Sequence, residues 1–141
     1  MLKEDIMKSR RLILPLIIAA LVSAVGWAPS PAYAYPVTPF SASLSGGLTE
    51  GGITWYNRSV GLQGYVSDHT PGSTTVMFDF YQGENLDMAL YLSTQTRTAS
   101  GYGENRTDFN FTQEGPVGGI TWVVISLCTA KCQIVLTYKR R

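Results

Sequence analysis

The chain has 141 residues with 11 basic and 10 acidic side chains, a formal net charge of +1 that gives no electrostatic case for binding nucleic acid or an anionic membrane. One histidine and two cysteines fall short of the four ligands of a structural zinc site, so neither a metal nor a cofactor is expected.

Residues 1–34 have the order of a secretory signal peptide: a basic start (Lys3, Lys8, Arg10, Arg11), an apolar run over 12–25, and a turn-prone stretch closing on Ala32-Tyr33-Ala34. The apolar run is shorter than the roughly 20 residues that cross a bilayer as a helix, and Pro15 interrupts it, so no stable membrane anchor is expected. Ser9-Arg10-Arg11 also fits a twin-arginine start, but the strongly apolar residues after it favour the general route; either way the product is secreted. Cutting after Ala34 removes four bases together with Glu4 and Asp5, which brings the remaining domain close to neutrality. The closing "KRR" at 139–141 reads as a solvated tail.

Residues 35–47, "YPVTPFSASLSGG", are rich in proline, serine and glycine and read as a flexible arm with at most a short strand near Phe40 to Leu44. From 48 to 141 short alternating runs separated by turn signals predict a single antiparallel β-sandwich of Greek-key type and immunoglobulin-like size, with a small closed barrel as the alternative.

In chain order, "ITWYN" at 53–57 continues into "SVGLQGYV" at 59–66 with opposite parity, which predicts a bulge near 57–59. "TTVMFDFY" at 74–81 points Val76, Phe78 and Phe80 inward and Met77, Asp79 and Tyr81 outward. After a hairpin loop at 82–85, "LDMALYLS" alternates Leu86, Met88, Leu90 and Leu92 against Asp87, Ala89 and Tyr91. A polar loop at 94–107 leads to a short strand carrying Phe109 and Phe111. Two final strands, 120–127 and 133–138, flank "CTAKC", a hairpin whose turn is clamped by a Cys128–Cys132 disulfide and whose tip displays Lys131.

"GGITW" occurs twice, at 51–55 and 118–122, and reads as two equivalent starts of a strand, glycines turning and a β-branched pair with tryptophan extending. "GGITWYNRSVGLQGYV", "TQTRTASGYG", "FNFTQEGPVGGITWV" and "LCTAKC" together resemble small exported actinobacterial proteins of unassigned function. That resemblance implies secretion and a β fold and carries over no catalytic residue.

His69 lies in a turn beside Asp68, and adjacency alone does not let a carboxylate orient the ring, so a catalytic role is not expected. Asp79, Glu84 and Asp87 are the closest acids in sequence; they read as solubilising groups, with a glycosidase-like pair and then a weak calcium site as the alternatives. Tyrosine is in excess, and Tyr56, Tyr81 and Tyr91 are candidate ligand-binding rings on an outer sheet face, with Lys131 a further candidate at the rigid tip. The strand at 120–127 is apolar on both parities, so part of the domain or a second copy of the chain is expected to cover its outer face. The expectation is a non-enzymatic binding module for a protein or cell-envelope glycan; a secreted antimicrobial or toxin-like protein and a small extracellular hydrolase are the alternatives.

Overall fold

In the computed structural model, which describes residues 34–101 and 105–141, eight strands form two antiparallel sheets. The leader through Tyr33, and Tyr102, lie outside the described residues. Strands β1 (Val37–Leu44), β2 (Gly47–Trp55), β3 (Val60–Asp68) and β6 (Asn105–Gln113) make the first sheet in the order β1-β2-β3-β6. Strands β4 (Ser73–Gln82), β5 (Leu90–Ser100), β7 (Trp122–Cys128) and β8 (Cys132–Lys139) make the second in the order β5-β4-β7-β8. The chain crosses between layers after β3, β5 and β6, and the result is an open sandwich and not a barrel.

Alternation fixes the core. Ile53, Val60, Leu62 and Val66 of the first sheet meet Val76, Phe78, Phe80, Val123, Ile125 and Leu127 of the second, all fully buried. A row of four residues crosses the first sheet, since Phe40 pairs with Gly51, Gly51 with Gly64 and Gly64 with Phe109. The two phenylalanine rings lie 6.5 Å apart and nearly parallel over the glycines, and Phe78 from the facing sheet packs edge-on at 6.1 and 5.2 Å.

Several expectations are corrected. Residues 37–44 are no arm: Phe40 is buried, and β1 pairs with β2 along its whole length. The parity switch near 57–59 is a hairpin and not a bulge, closed by the Tyr56 N–H donating to the Ser59 carbonyl at 3.1 Å. Leu86–Met88 forms a 3-10 turn whose backbone bonds, Met88 N to Asn85 O and Ala89 N to Leu86 O, replace strand pairing; of the four leucine and methionine positions predicted to point inward, only Leu92 packs on the core. Most of the predicted polar loop is β5 and the start of β6. The inward β5 positions Gln95 and Arg97 sit at the sandwich edge, where Gln95 donates to Gln113 at 3.1 Å and Arg97 lies 4.5 Å above the Phe111 ring. Inward charge of this kind also blunts an edge strand.

The "GGITW" copies are not equivalent. The first lies inside β2 and buries Trp55, whereas Gly118 and Gly119 of the second adopt φ of 93° and 75° in a turn closed by Gly119 N to Pro116 O. That turn delays the strand to Trp122, which points outward.

Candidate functional site

The register of the second sheet brings one residue from each strand into a row on its outer face: Tyr91 pairs with Tyr81, Tyr81 with Trp122, and Trp122 with Lys139. The Tyr81 and Tyr91 rings meet edge-on at 5.7 Å, and the Lys139 ammonium stands 5.2 Å from the Trp122 centroid. The bulge between Phe80 and Tyr81 lets Tyr91 occupy the place beside Tyr81 despite the odd spacing from Ser93.

Hydrogen bonds fix the row from below and from the side. The Trp122 indole donates to the Gly83 carbonyl at 2.9 Å. The hydroxyls of Tyr91 and Thr94 bond at 2.8 Å, and Thr94 in turn donates to the Asp79 carboxylate. Burial, with the nearby Asp79 charge adding to it, holds the Tyr81 hydroxyl above the ordinary tyrosine range. At the Tyr91 end the surface is apolar and open: Met88, Leu90 and Tyr91 are 81%, 63% and 52% exposed.

Tyr81 and Tyr91 thus stand together, as their outward parity implied. Tyr56 is elsewhere, on the β2–β3 turn, edge-on to Tyr35 at 4.9 Å and packed beside Gly61. Lys131 sits at the opposite end of β7 from Trp122, ~20 Å away at the usual rise per residue, on a tip closed by the Cys128–Cys132 disulfide. Asp79 belongs to the outer face, while Glu84 and Asp87 are exposed in the β4–β5 connection. Among the described residues no cluster of three metal-ligating side chains occurs, and no helix is long and apolar enough to cross a membrane.

His69 and Asp68 point apart. The ring bonds Ser67 Oγ at 3.2 Å on the outer side, whereas the buried Asp68 carboxylate accepts from the Thr74 and Thr70 hydroxyls at 3.0 and 3.3 Å. The doubly apolar β7 has a physical explanation as the central strand between β4 and β8: the register sets Asp79 and Thr137 beside Val124, and Met77 and Ile134 beside Ser126. Its backbone edges are both paired, so a second copy could not add to it as a strand.

Two features escaped sequence reasoning. Trp122 belongs to the row, but its parity was hidden by the repeat. Arg140 is no solvated tail: its guanidinium donates to the carbonyls of Asn57 and Ser59 and lies 5.6 Å from the Trp55 centroid, while its N–H donates to the Thr121 carbonyl at 2.8 Å. No protein-family model matches this chain, and no curated protein or solved structure is significantly similar to it.

Proposed function

We propose that the protein is an exported, non-enzymatic binding module that engages a partner through the outer face of its second sheet. The observation that carries this reading is the row Tyr91–Tyr81–Trp122–Lys139, anchored by hydrogen bonds and continuous with the exposed Met88 and Leu90. Rigid rings with wet hydroxyls next to unpartnered aliphatic side chains supply contact area at low entropic cost, the composition of a protein-recognition surface. Export is supported by the signal-peptide order of residues 1–34 and by the disulfide.

A cell-envelope glycan is the second reading, favoured by the ring row itself. The test is capture from cell-envelope protein and glycan fractions, comparing the parent with Tyr91→Ala/Met88→Ser and with Tyr56→Ala. Retention should fall at least about tenfold in the first variant, as for loss of a recognition hot spot, and stay unchanged in the second, which alters the β2–β3 turn. Undiminished capture by the double variant rejects this face.

A further inference from the structure

The two open flanks of the sandwich differ. Along β5 and β6 the layers are joined by Gln95 to Gln113, by Arg97 over Phe111 and by Thr107 Oγ1 donating to the Thr98 carbonyl at 2.8 Å. On the other flank β1 and β8 face each other across a groove of about 830 Å³, spanned by the Tyr138 hydroxyl donating to the Pro39 carbonyl at 3.3 Å. That volume lies within the range of sites that take a small ligand or a short chain segment, about 300–1,000 Å³.

The groove is basic and has no acidic wall. Lys139, Arg140 and Arg141 line it with no acidic side chain among its lining residues, and the sole ion pair among the described residues is Arg106–Asp108, on the first sheet. Arg140 is fixed on the Asn57 and Ser59 carbonyls, so the cations exposed to a ligand at the lip are Arg141 and Lys139, the latter leaning on the Trp122 ring. The backbone adds a second preference. Strand β8 is hydrogen-bonded to β7 alone and keeps one edge unpaired, whereas on the opposite wall Pro39 leaves β1 without a donor at that position. Two rings line the groove: Trp55 is 7% exposed, with its indole N–H donating to Thr38 Oγ1 at 3.0 Å, and Tyr138 is half-buried with its hydroxyl held on the Pro39 carbonyl.

We propose that this groove is a second binding site, adjoining the aromatic row at Lys139, that takes an extended acidic peptide segment of a partner protein. The segment adds as a strand to the free edge of β8, main-chain bonds supplying affinity, while its carboxylates meet Lys139 and Arg141.

The test is an NMR titration of the isotope-labelled protein, purified after export. The probes are a short capped peptide of alternating valine and glutamate, its valine–lysine counterpart, and polygalacturonate. Saturable shifts are expected at the β8 amides of Thr137, Tyr138 and Lys139 with the glutamate peptide alone. Lys139→Gln/Arg141→Gln should weaken that binding about tenfold, as expected for lost charge-assisted contacts, with an otherwise native spectrum, and Arg141→Lys should retain most of it. The proposal is overturned by shifts that miss β8, by equal binding of the lysine peptide, by a double variant that binds undiminished, or by polygalacturonate displacing the peptide. Concentration-dependent β8 shifts without any probe would assign the groove to a second copy of the chain and overturn it as well.

Discussion

Gly51 and Gly64 face each other across β2 and β3 with no space for one more carbon on either. A Cβ at Gly64 would lie 2.1 Å from the Glu50 carbonyl oxygen, and one at Gly51 2.3 Å from that of Gln63 and 2.8 Å from the Phe40 ring. Both obstacles include backbone, which cannot rotate away. Gly64→Ala is therefore expected to cost at least about 2–3 kcal/mol, the upper part of the range for overpacking a core. A urea melt followed by tryptophan fluorescence checks it; an unshifted midpoint would show that the two strands separate freely.

Arg140→Ala takes the guanidinium donor from the Asn57 carbonyl, leaves the Ser59 carbonyl with only the Tyr56 N–H, and removes the cation beside Trp55. A loss of about 1–3 kcal/mol is expected in the same melt. Arg141→Ala, one residue further along on an exposed side chain, should leave the midpoint in place.

The phenol of Tyr65 donates to Glu50 at 2.6 Å, and this bond, ahead of burial, holds its pKa above the ordinary tyrosine value. Because the folded pKa is the higher one, the stability it contributes is present at neutral pH and is lost as pH rises past about 10. Burial adds contributions of the same sign at Tyr81 and Tyr138. Urea midpoints across the alkaline range should fall, and Tyr65→Phe should flatten the fall. An identical slope in that variant would remove the Glu50–Tyr65 bond from the account.

Cys128 and Cys132 close a loop of three residues, for which chain entropy gives roughly 1–3 kcal/mol. Replacing both with serine should lower stability by about that amount. Partner capture by the aromatic row, at the far end of β7, should be unaffected, and Lys131→Ala should change neither quantity. Lost capture in Lys131→Ala with an unmoved melt would transfer recognition to the hairpin tip.

Legibility followed how strictly each strand obeys the period of two. In β4, Val76, Phe78 and Phe80 alternate cleanly with Met77, Asp79 and Tyr81, and the sequence reading placed every one of them on the correct face. The disulfide hairpin was equally plain from its cysteines. β5 was opaque because the inward side chains of its middle are Gln95 and Arg97, polar groups that close a flank instead of filling a core. At Leu86, Met88 and Leu90 the reverse holds: apolar residues alternate, but a 3-10 turn and exposure put them outside the core. Of the candidate site, Tyr81 and Tyr91 were readable from parity. Trp122 and Lys139 were not, because their places in the row depend on the left-handed turn at Gly118 and Gly119 and on the bulge in the β7–β8 pairing.

The position of β7 also sets the order in which the molecule can assemble. Synthesis delivers a chain from its N-terminus, yet β7, which pairs with β4 from Thr75↔Cys128 to Tyr81↔Trp122, is the penultimate strand. Until β7 emerges, the nascent chain carries Val76, Phe78 and Phe80 on a strand with one flank bare. Only β5 can shield the other flank in that interval, and it meets solvent with Thr94, Thr96 and Thr98. Closure of the second sheet is thus a late, long-range event that waits for the penultimate strand.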